Sequence, residues 1–391
     1  MKVAVSVKGR IHAFYLAQEL QGRNMLAQLI TSYPKFEVAK YGIDPKRVSS
    51  VLSTELLARA WRKAPSTWKE RWDAQLFLSE HYEQRAARKL RPGADLFVGW
   101  SGVSLAAIRR AKKLGMTTVI ERGSSHIEFQ RDILRAEYES HAATPCLPHP
   151  AIVDKELREY EEADFISVPS EYARQTFIER GIPESKLLHA PYGVALESFK
   201  PLPKDDDVFR IIHVGACDIQ KGCHFLLQAF HELDLPNAEL WFVGGINPEL
   251  EPWMKRYASP RVQFKGFQPQ AKLKNFYAQA SLFCLASIQE GLAVVVPQAM
   301  ACGLPILASE HTGARDIVRD GTDGALVPAR DVAALKDRIA WFHANQDTAR
   351  QMGQSALERV RTGFTWNDYG DRIVAAYTRA LSANAGDGRA A

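Results

Sequence analysis

The chain has 391 residues, of which 46% are apolar and 24% charged, and its formal net charge is +5. This length exceeds what one ordinary hydrophobic core holds, so two domains are expected, and the composition excludes a largely disordered chain. The five cysteines form no CxxC pair and no Cys/His cluster with metal spacing, which indicates reduced thiols and no metal site. No apolar stretch has the length of a signal peptide or a membrane span, so an intracellular, cytoplasmic protein is expected.

The first half of the sequence alternates runs of strand length with helical segments. In chain order, the predicted strands are MKVAVSV, MLAQLITS, ADLFVGW, TTVIERGS and FISVPS, and the predicted helices include IHAFYLAQELQG and SLAAIRRAKKLG. Strands separated by helices predict a parallel sheet that is covered on both faces.

A basic segment lies between the second and third of these strands. From Lys40 to Arg91 there are twelve Lys/Arg and six Asp/Glu, and the stretch Leu56–Trp72 carries three tryptophans among basic residues: Trp61, Trp68 and Trp72. Such a stretch suits an anionic membrane surface, although tryptophans buried along one helix face would have similar spacing. Pro65 argues against one unbroken helix and favours an exposed turn. No nucleic-acid-binding motif accompanies the segment, so nucleic acid is not an expected partner.

The alternation restarts after KPLPKDDDVF, whose proline and charge content indicates a linker near Lys200–Asp207. The second series of strands is FRIIHVG, AELWFVGG, VQFKGF, SLFCLAS and PILAS, and its helices include CHFLLQAFHEL, LKNFYAQA and DVAALKDRIAWFHA. Two doubly wound halves are therefore expected, with ligands bound in the cleft at the carboxyl ends of their strands. Only the tail Ser382–Ala391 is expected to be disordered.

Three segments that follow predicted strands carry residues suited to a charged ligand. In HVGACDIQKG, Lys221 can act on a phosphate as a point charge, and Gly222 allows close approach of the backbone. The first strand leads into Gly9 and Arg10, with His12 at the start of the next helix. Arg122 and His126 follow the strand in VIERGSSHIEF, at another position where cleft residues lie.

The segment SIQEGLAVVVPQAMACGLPILA is the most informative one. Glu290 precedes a predicted helix, Val294–Cys302, and Gln298 lies eight positions after it, which predicts two polar side chains on one face, two turns apart. The helix start offers free backbone N–H groups at Ala293 and Val294, which suit a diphosphate. A sugar between the carboxylate and the phosphates would separate their charges.

These motifs together resemble the retaining, nucleotide-sugar-dependent glycosyltransferases of family 4. HVGACDIQKG is similar to V-G-R-L-x-x-x-K-G, SIQEGLAVVVPQ to the E-x7-E block, and FTWNDYGDRIVAAY to the C-terminal helices of that family. The resemblance implies the α/β GT-B fold, with two Rossmann-like domains that face each other across a cleft. It implies an acceptor domain over residues 1–200, a donor domain over 201–366, and a helix over about 367–383 that crosses back to the first domain.

The resemblance also implies roles for individual residues. Glu290 would hold hydroxyls of the donor sugar, His126 would touch the transferred sugar, and Lys221 would neutralise the diphosphate. Gly266 and Phe267 would lie near the nucleobase, and the other candidates divide among three groups. The donor sugar and diphosphate would be bound by Gly222, Gly291, Leu292, Ala293 and Val294. The ribose would be bound by Gln298, and an acceptor or phosphate by Gly9, Arg10, His12 and Arg122. No cofactor and no metal are expected.

Two positions depart from the family pattern. The arginine of V-G-R-L is Ala216 here, and the second glutamate of E-x7-E is Gln298, which keeps hydrogen bonding but loses charge. Arg10, Arg122 or Arg315 are candidates to replace the missing cation. The predicted activity is transfer of a hexose from a UDP- or GDP-sugar to a hydroxyl of a glycan, lipid-linked or small-molecule acceptor, with retention, and with an anionic membrane as a further partner. The alternatives are a non-catalytic or weakly active nucleotide-binding relative and a GT-B sugar-nucleotide epimerase.

Overall fold

The computed structural model describes residues 1–10, 12–65, 67–68 and 74–387. Within this part of the chain, the first sheet consists of β1 (Val3–Val7), β2 (Leu26–Thr31), β3 (Val48–Ser50), β4 (Leu96–Trp100), β5 (Thr117–Glu121), β6 (Phe165–Val168) and β7 (Leu187–His189). These strands pair in parallel in the order β3-β2-β1-β4-β5-β6-β7. Every residue of β1, β4 and β5 is buried, because helices cover both faces of the sheet.

The second sheet is also parallel. Its strands in the described residues are β8 (Phe209–Val214), β9 (Ala238–Val243), β10 (Val262–Phe264), β11 (Leu282–Leu285), β12 (Ile306–Ser309) and β13 (Gly324–Val327), in the order β10-β9-β8-β11-β12-β13. In both sheets the strand order reverses beside the first strand, and ligands of such sheets bind at the carboxyl ends next to this point.

Helices follow most of the strands. Those of the first half are α1 (Ala13–Gly22), α2 (Lys35–Ala39), α3 (Leu52–Arg62), α4 (Ala74–Lys89), α5 (Leu105–Lys113), α6 (Ile127–Ser140), α7 (Pro150–Glu162) and α8 (Glu171–Ile178). Those of the second half are α9 (Cys223–Leu233), α10 (Glu251–Arg256), α11 (Gln270–Ala278), α12 (Val295–Ala301), α13 (Val332–Ala344), α14 (Gln346–Arg361) and α15 (Trp366–Asp387). All strands predicted from the sequence are present, and the short strands β3, β7 and β13 are additional.

The C-terminal helix α15 packs on α1 of the first half. Arg23, just after α1, donates to Asp371 at 2.6 Å and to the Asn367 carbonyl at 3.0 Å, and the rings of Tyr15 and Trp366 stack at 4.1 Å. The predicted crossing-back helix is therefore confirmed. The expectation of disorder from Ser382 is wrong for residues 382–387, which continue α15, and Asn384 donates to Thr117 at 2.8 Å.

The stretch Leu56–Trp72 is not one helix. α3 ends at Arg62, and the Trp68 N–H donates to the Pro65 carbonyl in a separate turn. The Leu56 and Trp68 side chains are 65% and 64% exposed, so Trp68 is not the core residue that the alternative interpretation required, while Trp61 is half-buried. Residues 69–73, and with them Trp72, lie outside the described part. Among the described helices, none combines the length and the apolarity that crossing a bilayer requires.

Candidate active site

A cavity of about 460 Å³ lies between the two halves, at the carboxyl ends of the strands. Side chains from both halves and from the start of α15 line it, which agrees with the predicted location of the site. The lining residues that bear on function are Arg10, His12, Tyr15, Phe267, Val294, Gln298 and Trp366.

The first half contributes the loop that follows β1. Gly9 has φ of +96°, a left-handed backbone that favours glycine, and its carbonyl accepts a hydrogen bond from Thr31 at 2.7 Å. This turn directs Arg10 into the cavity, where its guanidinium bonds the Tyr41 hydroxyl. His12 occupies the cap position before α1 and also lines the cavity.

A buried carboxylate that the sequence interpretation missed supports His12. Glu121 Oε1 lies 3.1 Å from His12 Nε2 and accepts from the Tyr192 hydroxyl at 3.3 Å. Burial, followed by the charge of Glu121, raises the pKa of Tyr192, so this phenol stays protonated and remains a donor. The other oxygen, Oε2, is buried and has no hydrogen-bond partner among the described residues. The only sequence signal was an acidic residue at the end of an apolar strand, TTVIE.

The second half contributes an ion pair between Lys221 and Glu290. Ser287 donates to the same glutamate oxygen at 3.1 Å, and the Glu290 N–H donates to the His311 carbonyl at 2.9 Å, which fixes the loop. Burial alone would lower the pKa of Lys221, but the charge of Glu290, the hydrogen bond to it and the charge of Asp218 together outweigh burial, and the pKa lies above its ordinary value. The sequence prediction thus named two residues that the fold brings into contact.

Gly222 is required for this contact. Its φ is +65°, and a Cβ there would lie 2.0 Å from the Ala286 carbonyl oxygen, closer than any real contact. The backbone of the loop after β8 therefore approaches the end of β11 directly, which brings Lys221 to Glu290.

Two predictions about the Glu290 segment are wrong. Glu290 and Gln298 do not share a helix face, because α12 begins only at Val295 and Glu290 lies in the preceding loop. The Ala293 N–H is not free, since it donates to the Thr312 carbonyl at 3.3 Å. Gln298 itself lines the cavity, and its Oε1 accepts from the Tyr277 hydroxyl at 3.4 Å.

The remaining donor-side candidates lie around these groups. Phe267 is 80% exposed at the cavity, after Gly266 with φ of +64°, so its ring face is open to a ligand. Gly291 packs against the first half: a Cβ there would lie 2.2 Å from the Gly123 carbonyl oxygen. Leu292 is buried, and its side chain forms part of the core.

His126 and Arg122 are placed inside the first half and do not line this cavity. His126 is 2% exposed, packs against the rings of Tyr160 and Phe177, and caps α6 by accepting the Glu128 N–H at 3.3 Å. Burial, with a smaller effect of neighbouring arginines, lowers the pKa of His126 to about 4.

Of the three candidate cations, two are occupied elsewhere. Arg122 pairs with Glu156 at 3.1 Å, so it is not an available replacement for the missing cation, and Arg315 pairs with Glu310. Within the described residues, Arg10 has no carboxylate partner, and it faces the cavity.

The fold also assembles two groups of metal-ligating side chains that the sequence spacing did not indicate. His213, Cys217 and Cys223 form one group, with their ligand atoms within 4.8 Å of one another. The other comprises a glutamate and two histidines, Glu137, His141 and His224. The sequence has no Cys/His cluster with metal spacing, yet a strand end, a loop and a helix start bring the His213 group together in space.

The Glu137 group joins the two halves. Glu137 on α6 accepts from His224 on α9 at 3.1 Å and from His141 at 3.0 Å, and Arg330 lies 2.7 Å from its other oxygen. Burial alone would raise the pKa of Glu137, but the hydrogen bond from His224 and the charge of Arg330 outweigh it and lower the pKa. Since α6 belongs to the first half and α9 to the second, this contact connects the two halves.

Comparison with known proteins gives both sequence and structural relatives. Residues 195–359 match the profile of the family described as "Glycosyl transferases group 1". The GDP-mannose-dependent alpha-(1-6)-phosphatidylinositol monomannoside mannosyltransferase of Mycolicibacterium smegmatis is 29% identical over 54% of this chain and 62% of its own length. The putative colanic acid biosynthesis glycosyltransferase WcaL of Escherichia coli is 28% identical over 47% of this chain and 49% of its own length. The chain therefore aligns with less than two thirds of the length of either relative.

Solved structures resemble the chain over almost its whole length. Sucrose-phosphate synthase (tll1590) from Thermosynechococcus elongatus superposes with a TM-score of 0.73 at 20% identity, covering 98% of this chain and 100% of that one. Anabaena Alr3699/HepE in complex with UDP-glucose gives a TM-score of 0.69 at 17% identity, covering 97% and 100%. Residues 195–359 therefore resemble the glycosyl transferases group 1, as the sequence motifs predicted, and the solved structures confirm the predicted GT-B fold of the chain.

Proposed function

We propose that the protein transfers a sugar from a nucleoside-diphosphate donor to an acceptor hydroxyl. The observation that carries this proposal is the contact between Lys221 and Glu290, which lie in the loops after β8 and β11 of the half whose Val294 and Gln298 line the cavity. A cation for a diphosphate and a carboxylate for sugar hydroxyls are the two groups that such a donor needs next to each other.

The donor would extend from the cavity to this ion pair. The exposed ring of Phe267 offers a stacking face for the nucleobase, and Gln298 offers hydrogen bonds to the ribose. The diphosphate would replace Glu290 as the ion-pair partner of Lys221. The freed carboxylate would then accept hydrogen bonds from hydroxyls of the sugar. Arg10, across the cavity, would supply the cation that Ala216 does not.

The proposed mechanism is electrostatic and retaining, and it needs no metal on the leaving group. Departure of the nucleoside diphosphate builds negative charge on the leaving oxygen, which Lys221 and Arg10 would stabilise, while Glu290 orients the sugar ring. The leaving phosphate is the proposed base for the acceptor hydroxyl. On the acceptor side we keep His12, held by Glu121, because it lines the cavity. We no longer assign His126 to the transferred sugar, because His126 is buried away from the cavity.

We propose a glycan or lipid-linked acceptor, reached at the inner face of the cytoplasmic membrane. The exposed apolar side chains Leu56 and Trp68 lie close in sequence to exposed Arg59 and Arg62, as a surface that docks on anionic lipid would require. Sedimentation with anionic vesicles tests this: binding should fall as salt rises and when Arg59 and Arg62 are both replaced by Ala. A protein that stays in the supernatant at low salt would favour a soluble acceptor.

The experiment that tests the function is a panel of UDP-, GDP- and ADP-sugars. One donor should raise the melting temperature and be consumed in the presence of a suitable glycan or lipid acceptor. Stabilisation by a nucleotide without turnover across a broad acceptor panel would instead support the non-catalytic relative. Formation of an isomeric sugar nucleotide without any acceptor would support the epimerase.

A further inference from the structure

The core of the second half contains an imidazole and two thiols in contact. His213 lies in β8, Cys217 in the loop that follows, and Cys223 is the first residue of α9. All three side chains are fully buried, and their ligand atoms lie within 4.8 Å of one another. A Cys₂His set is one that Zn²⁺ prefers among protein side chains.

The distances are close to those of a tetrahedral site. His213 Nε2 lies 3.6 Å from Cys223 Sγ. A tetrahedral Zn²⁺, with Zn–N of about 2.0 Å and Zn–S of about 2.3 Å, separates such a nitrogen and sulfur by about 3.5 Å and two sulfurs by about 3.8 Å. The Ala216 carbonyl oxygen converges on the same point, at 3.2 Å from His213 Nε2 and 3.9 Å from Cys223 Sγ. Cys217 Sγ lies within 4.8 Å of the ligand atoms of both His213 and Cys223, so four potential ligand atoms lie close together.

The other candidate group is less suited to an ion. Glu137 already accepts from both histidines and pairs with Arg330, so its members satisfy one another. The thiols of the first group have weak contacts at 3.6 to 3.9 Å with an imidazole and two carbonyls, and further contacts with each other and with the Asp218 backbone. An ion would therefore replace weak hydrogen bonds by four coordinate bonds.

We propose that His213, Cys217 and Cys223 bind Zn²⁺ or a similar thiophilic divalent cation, with the Ala216 carbonyl as the fourth ligand. Binding transfers two thiol protons to solvent, and two thiolates then neutralise the ion, so the buried site carries no net charge. A site with four protein ligands leaves no position for substrate, and the ion is structural. It is distinct from a metal on the diphosphate, which the proposed mechanism does not use.

The ion would stabilise the loop that carries Lys221. The ligands bracket residues 214–222, since one precedes this loop, one lies within it and one follows it. In the structure the loop is held by the Lys221 N–H, which donates to Asp218 at 2.8 Å, and by the Ile219 N–H, which donates to Glu249 at 2.9 Å. The proposal does not depend on the reaction catalysed and is tested without substrate.

The test is binding of Zn²⁺ alone to the full chain, kept reduced and purified without metal. Because the ligands are buried, ZnCl₂ is added both to the native protein and during refolding, and the bound metal is measured by elemental analysis after gel filtration. We expect about one ion per chain, retained against a weak chelator, and for Co²⁺ the visible absorption of tetrahedral thiolate coordination.

Two variants and one control connect binding to these residues. Cys217→Ser and Cys223→Ala should each lower the affinity about 100-fold or more and remove the Co²⁺ absorption, with an unchanged circular dichroism spectrum. Cys302→Ala, at a buried thiol outside the group, should bind as the parent does. Less than about half an ion per chain by both routes, or equal binding by parent and variants, would overturn the proposal. So would a Cys217–Cys223 disulfide in air together with no metal uptake after reduction.

Discussion

Replacing Lys221 by Ala tests the assignment of the diphosphate most directly. The Lys221 side chain is 23% exposed and that of its partner Glu290 is 12% exposed, so the pair lies between a surface ion pair and a fully buried one. Loss of a charge-assisted contact of this kind costs about 1.5–3 kcal/mol, which predicts a dissociation constant for the nucleoside diphosphate that is about 10- to 150-fold higher. The free nucleoside, which has no phosphate, should bind unchanged.

Glu290→Gln should have a different effect on the same equilibrium. It frees Lys221, so affinity for the nucleoside diphosphate should stay within about threefold of the parent or improve, while sugar transfer is lost. The double variant, Lys221→Ala with Glu290→Gln, lacks the unpaired carboxylate, so it should bind the nucleoside diphosphate more tightly than Lys221→Ala alone does. A double-mutant cycle measures this non-additivity.

Titration calorimetry with the nucleoside, the nucleoside diphosphate and the sugar donor provides the measurement. Lys336→Ala is the matched control, because Lys336 also pairs with a glutamate but on the surface of α13. Equal affinities of parent and Lys221→Ala for the diphosphate would refute the reasoning and leave Arg10 as the diphosphate cation. A loss of more than about tenfold, or about 1.4 kcal/mol, in Glu290→Ala would place the carboxylate at the phosphates instead.

Three further predictions concern residues of the first half. Arg10→Ala should lower the affinity for the nucleoside diphosphate about tenfold or more and leave the affinity for the nucleoside unchanged, as measured by calorimetry. Equal losses of affinity for both ligands would make Arg10 a structural residue. The pKa of His126 is about 4 in the folded protein against about 6.5 in the unfolded chain, so between these pH values the unfolded state binds one more proton. Urea denaturation should therefore show the free energy of unfolding falling by up to about 3 kcal/mol from pH 6.5 to pH 4, and by less in His126→Asn, which keeps a capping acceptor. The same dependence of stability on pH in parent and variant would contradict this. Glu137→Ala should lower the free energy of unfolding at pH 7 by about 2–3 kcal/mol, against less than about 0.5 kcal/mol for the exposed Glu139→Ala. Because the pKa of Glu137 is lowered, this difference should shrink as the pH falls through that lowered pKa, and a constant difference would exclude the ionic origin.

The sequence was sufficient to predict the fold because its strands are apolar on both faces. β11 is a continuous apolar run, and β1 and β8 are mostly apolar, with Ser6 in β1 and Arg210 and His213 in β8 as the exceptions. Segments with the longer period of a helix separate these strands. β3 and β7 were missed because a strand of three residues is too short to show a pattern of apolar and polar positions. Their pairing with β2 and β6 depends on the sheet that is already present. The end of α15 was missed because the composition of SANAGDGRAA says nothing about its contact with Thr117.

The site was predictable where a motif fixes local backbone geometry. Lys221 and Glu290 were named from separate motifs, and the fold brings them together because Gly222 lets two loops approach closely. Glu121 and the His213 group were not predictable, since contacts between residues far apart in sequence, or between a strand end and a helix start, leave no spacing signal. The predicted role of His126 rested on its position after a strand and on the family resemblance, and neither determines whether its side chain faces the cleft or the interior.

The absence of an arginine at Ala216 affects how the two halves work together. With arginine there, both cations of the donor site would come from the second half, and donor binding would be a property of that half alone. Here Arg10, which faces the cavity from the first half, is the candidate second cation, while Lys221 belongs to the second. A diphosphate held in this way spans the cleft, so its affinity depends on the relative position of the halves. The contacts of Gly291 with Gly123 and of Glu137 with His224 hold that position in the structure. Residues that do not touch the donor would therefore influence its binding.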